Sequence, residues 1–237
     1  MRTNHPVSRR TFMTATGASI ALGCGMVQGA AAGTAQPNVV FVFSDEHRYQ
    51  SMSFTEMAAV QTPTMARMAQ EGFTFHRCIS NYPVCSPYRA MLMTGRYPFQ
   101  TGVIDNDIAL NADEFALGDV FRQAGYRTGY IGKWHLGGTR AEPFGFDLSL
   151  IWTDTNTHYD KSQYHPAGKA PQQPKGYNAT LMTDQALAFM AEPNDKPYFL
   201  MLSLNPPHAN FTDAPPDKLA LYPDGSLPRR PNVNLDN

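Results

Sequence analysis

The residues that point most directly to chemistry surround Cys85, in the run Cys85-Ser86-Pro87-Tyr88-Arg89. Ser86 is a favourable N-cap residue and Pro87 suits the first helical turn, so a helix is predicted to begin beside Cys85. Free backbone N–H groups and the helix dipole favour a bound anion there, such as sulfate or phosphate. Arg89, one turn into the helix, can hold the loop or bind the anion. These residues alone predict a thiolate nucleophile with a lowered pKa at Cys85.

Charged and imidazole side chains also follow three segments that have the composition of strands. The segments are 39–43, 126–131 and 198–204, and the residues that follow them are Asp45, Glu46, Lys133, His135 and His208. In an open α/β sheet, the loops that leave the carboxyl ends of the strands converge on one crevice. Taken singly, Asp45 could be a helix cap, and each histidine could be a satisfied surface or core residue. Polar residues that follow three successive strand-like segments favour one shared site.

The elements that position these side chains alternate along the chain. Helices are predicted at residues 62–72, 117–124 and 180–189. The first strand, Val39–Phe43, is an unbroken apolar run, typical of a strand that is buried on both faces of a parallel sheet. The alternation predicts an α/β fold with a mostly parallel sheet and helices on both faces. Residues 137–176 are predicted to form a long irregular insertion that contributes substrate contacts.

Composition narrows the class of protein further. The chain has 237 residues, 42% of them hydrophobic, which suffices for one large domain with its own core. Its 19 basic and 20 acidic residues give a formal net charge of -1, so no basic patch supports nucleic-acid binding. The cysteines are Cys24, Cys78 and Cys85, and an odd number argues against a disulfide-stapled fold. Cys78 and Cys85 could still be paired or packed inertly.

Residues 1–35 have the pattern of an export signal. Residues 8–12, Ser-Arg-Arg-Thr-Phe, form a twin-arginine motif that precedes a weakly apolar stretch and several small residues. The stretch is too short and too polar for a transmembrane helix, which needs roughly 20 apolar residues. We therefore expect the twin-arginine translocase to deliver the protein to the periplasm or the exterior. Cleavage after Ala32 or Ala35 and lipidation at Cys24 are alternative outcomes.

Several motifs together resemble the formylglycine-dependent sulfatases of the alkaline phosphatase superfamily. They are the C-x-P-x-R core at Cys85–Arg89, then Met93–Pro98, Pro37–Phe41 with Asp45, Gly132–Gly137 and Pro206–His208. The resemblance covers nearly all of the chain after residue 35, in the family's order. It implies an alkaline-phosphatase-like fold and the hydrolysis of sulfate esters, and the predicted export suggests a sulfated glycan or an aryl sulfate as the substrate. It also implies that a formylglycine-generating enzyme oxidises Cys85 to an aldehyde, whose hydrate attacks sulfur.

The resemblance also implies catalytic roles for the neighbouring side chains. Arg89 would stabilise the formylglycine hydrate, and Lys133 would neutralise the charge of the sulfate. His135 would act as a base or as an orienting partner of the hydrate. His208 would bind sulfate or protonate the leaving oxygen.

A divalent metal is implied at the same place. Asp45, Glu46 and the modified Cys85 are its expected ligands, and oxygen donors favour Ca²⁺, or less strongly Mg²⁺, over Zn²⁺. Glu46 stands where the family frequently has Asp. The family places further metal ligands and another lysine well beyond His208, whereas residues 221–237 are rich in proline and lack a strand pattern. We therefore expect residues 36–237 to be the N-terminal portion of a sulfatase catalytic domain, truncated at the C-terminus.

Two other functions stay open at this point. Phosphatases and phosphodiesterases of the same superfamily share the implied architecture, but they normally use Ser or Thr as nucleophile, which the C-x-P-x-R match argues against. The second alternative is a noncatalytic remnant that binds sulfated glycans, in which Lys133, His135 and His208 still hold an anion.

Overall fold

The fold is seen in a computed structural model that describes residues 36–55, 59–153, 156–210 and 212–223. The predicted export signal, with Cys24, and the chain beyond residue 223 lie outside the described residues. All described residues belong to the unit Gln36–Asn237. In this part of the chain, no helix combines the length and the apolar composition that crossing a bilayer requires.

A five-stranded mixed sheet lies at the centre, with strand order β1-β5-β2-β3-β4. The strands are β1 (Val39–Ser44), β2 (Arg127–Lys133), β3 (Leu148–Thr153), β4 (Gln163–Pro166) and β5 (Tyr198–Leu204). β1, β5, β2 and β3 run parallel to one another, and β4 is antiparallel to β3. The carboxyl ends of β1, β5 and β2 therefore lie side by side.

Helices pack on both faces of this sheet. The helices of the described chain are α1 (Pro63–Glu71), α2 (Cys85–Thr94), α3 (Pro98–Thr101), α4 (Leu117–Gln123), α5 (Asn178–Ala191) and α6 (Pro216–Leu219), of which α4 and α5 pack on opposite faces. Phe121 of α4 stacks on Phe199, with 3.8 Å between the ring centroids. Met182 and Phe189 of α5 pack in a second core with Leu200. Because Phe199 and Leu200 are neighbours on β5, the two cores lie on opposite faces, which confirms the predicted fold class.

β1 forms where the sequence predicts it, but among the described residues only one of its two faces is buried. Among the described strands it pairs with β5 alone, so it lies at an edge of the sheet. Phe41 and Phe43 pack against the core, whereas Val40 is 42% and Val42 55% exposed. An unbroken apolar run cannot reveal this difference, because it places apolar side chains on both faces alike.

The segment 137–176 is more ordered than its composition predicts. It contains β3 and β4, and the side chains of Ile151 and Trp152 are buried in the core. The prediction of one irregular insertion is therefore wrong. The β-prone run Leu148–Trp152 is short and lies between stretches rich in glycine and proline, which are the stronger local signals for a loop.

A substitution at Gly132 tests how closely β2 must approach β5. Its φ is 114°, and a Cβ at this position would overlap the carbonyl oxygen of Ser203. We expect Gly132→Ala to lower the free energy of unfolding by about 3 kcal/mol or more, because backbone atoms of a central strand would have to move. Urea denaturation followed by circular dichroism measures the loss.

The matched control for this substitution is Gly138→Ala. Gly138 also has a positive φ, 61°, but no atom lies within 4 Å of the added Cβ. Its cost should therefore be limited to backbone strain, about 1 kcal/mol. Equal losses in the two variants would contradict the close approach of β2 and β5.

Candidate active site

A buried carboxylate lies where the carboxyl ends of the central strands meet. Asp45 follows β1 directly, and its Oδ2 is 2.5 Å from Nζ of Lys133, at the end of β2, and 3.4 Å from Nη2 of Arg89, on α2. All three residues are at most 9% exposed. Burial alone would raise the pKa of Asp45, but the charges of Arg89 and Lys133 hold it below its usual value. Three predicted site residues are thus joined in one ionic cluster.

Arg89 is fixed by more than its ion pair. Its Nη1 donates to the carbonyl oxygen of Lys133 at 2.7 Å and to Oγ of Ser203 at 2.8 Å. Its guanidinium carbon also lies 5.3 Å from the centroid of the Phe43 ring. These contacts tie α2 to β1, β2 and β5. The guanidinium is therefore held in a fixed position, with its Nη2 directed to Asp45.

Cys85 lies at the first position of α2, beside this cluster. Its Sγ is 3.8 Å from Oδ1 of Asp45. Burial raises the pKa of the thiol, the charge of Asp45 raises it further, and Lys133 and Arg89 only partly oppose this. The expectation of a low-pKa thiolate is therefore wrong, because burial and the Asp45 carboxylate together outweigh the two cations. In its unmodified form, Cys85 is a poor nucleophile.

The N-terminus of α2 is also arranged differently from the prediction. The N-cap residue is Val84 instead of Ser86 and makes no side-chain cap, so the helix starts two residues earlier than expected. Ser86 is fully buried, and its Oγ donates to the carbonyl oxygen of His135 at 2.6 Å. Its N–H donates to Oδ1 of Asn106 at 3.0 Å. Ser86 therefore links the helix to two other segments instead of capping it.

His135 contributes an imidazole that stays neutral near neutral pH. Burial lowers its pKa, as do the charges of Lys133 and Arg89. Its Nε2 is 3.7 Å from Oδ1 of Asp107, and its buried Nδ1 has no hydrogen-bond partner among the described residues. A neutral ring with a free nitrogen can accept a proton, which suits the predicted role of a base.

His208 approaches the cluster from the segment after β5. Its ring lies against Glu46, with 3.3 Å between Nε2 and Oε1. One donor atom each from Asp45, Cys85 and His208 fall within 4.8 Å of one another. The carbonyl oxygen of His208 accepts a hydrogen bond of 3.0 Å from Nε2 of His158, which is buried. His158 therefore helps to fix the backbone of His208 at the site.

All seven residues predicted for the site lie at this end of the sheet, but not all in mutual contact. Asp45 is in direct contact with Lys133, Arg89 and Cys85. Glu46 contacts His208, whose ring lies near Asp45 and Cys85. The ring of His135 is directed toward Asp107 instead. A cavity of about 580 Å³ opens beside Asp45, Glu46, Cys85 and Arg89. The cavity is large enough to take a charged group into contact with the cluster.

Three residues of this arrangement are absent from the sequence prediction. They are Asn106, Ser203 and His158, which hold Ser86, Arg89 and His208 respectively. Ser203 carries a usable signal, since a polar residue inside the run 198–204 is unusual for a strand buried on both faces. For Asn106 and His158 we find no signal, because each acts on a residue that is distant in sequence.

Comparison with known proteins assigns this arrangement to a family. The family model for sulfatases matches residues 37–227, and the chain belongs to the sulfatase family. It is 34% identical over 188 residues to an N-acetylglucosamine-6-O-sulfatase of Bacteroides thetaiotaomicron, across 77% of this chain and 32% of the relative. It is 30% identical over 211 residues to an ulvan-active sulfatase of Formosa agariphila, across 84% of this chain and 41% of the relative.

A solved structure agrees with this assignment. The protein in that structure is bound to its substrate, D-glucosamine-2-N,6-O-disulfate. The match has a TM-score of 0.67 and 34% identity, across 73% of this chain and 35% of that chain. The fold is the alkaline-phosphatase-like fold of sulfatases, and the resemblance stated from the motifs is confirmed. The chain spans about a third to two fifths of the length of these three proteins.

The donor atoms at the site can be compared with what a divalent metal needs. In the unmodified chain the close set is mixed, with a carboxylate of Asp45, the sulfur of Cys85 and a ring nitrogen of His208. Hard cations such as Ca²⁺ prefer oxygen, so the thiol fits them poorly. A residue 85 that carries oxygen instead of sulfur would join Asp45 and the nearby Glu46 in an oxygen-rich set. The donors therefore fit a hard cation when Cys85 is modified.

The ionic cluster predicts a large loss of stability when its carboxylate is neutralised. We expect Asp45→Asn to lower the free energy of unfolding by about 3 kcal/mol, because Lys133 and Arg89 would be left buried without their counter-ion. The control is Glu71→Gln, since Glu71 forms an exposed pair with Arg67. That change should stay within about 0.5 kcal/mol. Urea denaturation that gave equal losses would contradict the cluster.

The raised pKa of Cys85 predicts a pH profile for its alkylation. Only the thiolate reacts, so the rate with iodoacetamide should still be rising above the ordinary thiol pKa of 9.0. Glu46→Gln should increase the rate at pH 8, because the charge of Glu46 contributes to the raised pKa. Tandem mass spectrometry of the tryptic peptide Cys78–Arg89, which contains both thiols, measures the rate at Cys85, with the exposed Cys78 as internal reference. A rate that levels off below pH 8 would contradict this assignment.

Proposed function

We propose that this chain carries the nucleophile-bearing part of a sulfatase that hydrolyses sulfate esters of glycans or aryl alcohols, with formylglycine made from Cys85. The observation that carries the proposal is the position of Cys85 in a C-x-P-x-R core, 3.8 Å from a carboxylate that Lys133 and Arg89 neutralise. A thiol of raised pKa suits a residue that is converted before use. The relatives described above act on sulfated glycans, which supports the substrate class.

Roles for the side chains follow from their contacts. Lys133 would neutralise the charge of the sulfate, and its ion pair with Asp45 holds its ammonium at the site. Arg89, held by three partners, can fix the oxygens at position 85. His135 can take a proton through its neutral ring, and His208 can give one to the leaving alcohol.

A divalent cation is part of the proposal, and Ca²⁺ is the expected ion. Asp45, Glu46 and the oxygens of the modified residue 85 would hold it, and Mg²⁺ is the less favoured alternative because it demands stricter octahedral geometry. The cation supplies positive charge that stabilises anionic oxygens at residue 85 and on the sulfate. The lowered pKa of Asp45 keeps its carboxylate ionised, as an oxygen ligand of a cation must be.

The proposal includes two partner proteins and a location. A formylglycine-generating enzyme would convert Cys85, and the twin-arginine translocase would export the protein to the periplasm or the exterior. This route carries folded proteins, so a modification made in the cytoplasm can precede export. The motif at residues 8–12 supports the route.

The test of the nucleophile is Cys85→Ala in the native protein, produced in a host that makes formylglycine. We expect sulfate-ester hydrolysis to fall by at least about a thousandfold, because no oxygen nucleophile can form at residue 85. Hydrolysis of para-nitrophenyl sulfate measures the loss. The peptide that contains Cys85 should show the mass of an aldehyde in place of the thiol. Cys78→Ala is the matched control and should stay active.

The same experiment separates the alternatives. An unmodified thiol combined with phosphatase turnover and no sulfatase turnover would favour a phosphoryl-transfer enzyme. Binding of sulfated glycans without any turnover would favour the noncatalytic remnant. Full activity of Cys85→Ala would show that the assigned nucleophile is wrong.

A further inference from the structure

The helix that carries Cys85 takes its cap from a distant loop. The first N–H groups of a helix have no partner within the helix, and a preceding Ser, Thr, Asp or Asn usually supplies one. Here the preceding residue is Val84, whose side chain cannot accept a hydrogen bond. Instead, the N–H of Ser86 donates to Oδ1 of Asn106, 20 residues further along the chain. Ser86 is fully buried, so with Asn106 in place its N–H is shielded from water and depends on this bond.

Ser86 also connects this cap to His135. Its Oγ donates to the carbonyl oxygen of His135 at 2.6 Å, while its N–H is held by Asn106. His135 has a φ of 54°, in the left-handed region that residues other than glycine seldom adopt. Such a backbone conformation persists only where the surroundings hold it. One buried serine therefore joins the nucleophile helix, the histidine turn and the loop of Asn106.

The loop is itself anchored before Asn106 and approaches His135 after it. The N–H of Asn106 donates to Oδ1 of Asp105 at 2.8 Å, and the carbonyl oxygen of Ile104 accepts a 2.7 Å hydrogen bond from the hydroxyl of Tyr82. Asp107, with a φ of 64°, directs its carboxylate to the ring of His135 at 3.7 Å. Successive residues of the loop thus reach both the helix and the histidine.

We propose that Asn106 is a positioning residue for the sulfatase reaction, which caps the helix of Cys85 and, through Ser86, fixes residue 85 relative to His135. This inference rests on the proposed function. Asn106 lines the same cavity as Cys85 and Arg89, so its side chain faces the space that a sulfate would enter. Asn and Asp cap helices about equally well, but a carboxylate here would repel the sulfate. The neutral amide oxygen meets both requirements.

The positioning role can be measured without any turnover. Hydrogen–deuterium exchange resolved to single amides should show that Asn106→Ala lowers the protection of the Ser86 N–H by about fivefold or more, the loss expected for a helix cap. Asn106→Asp should keep that protection, because the acceptor remains. The control is Asn111→Ala, since Asn111 accepts a similar bond from the N–H of Asp113 in the same region. Unchanged protection of Ser86 in Asn106→Ala would overturn the cap.

Turnover of the matured protein on para-nitrophenyl sulfate gives the second measurement. Asn106→Ala should lower kcat about tenfold to a hundredfold with little change in KM, because residue 85 would be misplaced relative to His135. Asn106→Asp should raise KM and largely keep kcat, because it retains the cap and adds a repelling charge. A wild-type kcat in Asn106→Ala would overturn the role in the reaction. Absence of turnover in the wild-type protein would instead count against the proposed function, and the exchange of Ser86 would still decide the cap.

Discussion

The site depends on one electrostatic constraint, the burial of the Asp45 carboxylate between two cations. A carboxylate, an ammonium and a guanidinium at most 9% exposed are tolerable only as a mutually compensating group. That requirement fixes the ends of β1 and β2 and the start of α2 relative to one another, because each element supplies one charge. The same carboxylate helps to keep the neighbouring thiol protonated. The Asp45 carboxylate therefore influences both the arrangement of these elements and the protonation of Cys85.

The surrounding hydrogen bonds fix different parts of the site. Arg89 and Ser203 connect the charges to the sheet, and Ser86 connects the nucleophile helix to the histidine turn. His158 holds the backbone of His208 from the opposite side. Of the side chains that make these bonds, only the Arg89 guanidinium belongs to a residue that lines the cavity. These bonds leave the few titratable groups that face the cavity in defined positions, which is the condition for catalysis by preorganised charges.

Sequence patterns predict the framework of this protein better than its local geometry. The alternation of helices and strands predicts the sheet, and the rule that loops converge at the carboxyl ends of parallel strands brings Asp45, Lys133 and His208 together. Two features depend on packing that a single sequence does not display, the exposed face of β1 and the order of residues 137–176. The pKa of Cys85 is a third, because the motif reveals neither the burial of the thiol nor the carboxylate at 3.8 Å. Asn106 could not be predicted, since its partner lies 20 residues away.

The burial of the residues around Cys85 has a consequence for the order of events in the cell. In the folded chain Ser86, Pro87 and Arg89 are all buried, so these parts of the C-x-P-x-R core are hidden from any other protein. An enzyme that recognises this core through its side chains can therefore reach it only while the polypeptide is still being made or has not yet collapsed. On the proposed function, maturation competes in time with folding, and a chain that folds first is committed to an inert thiol before it leaves the cytoplasm.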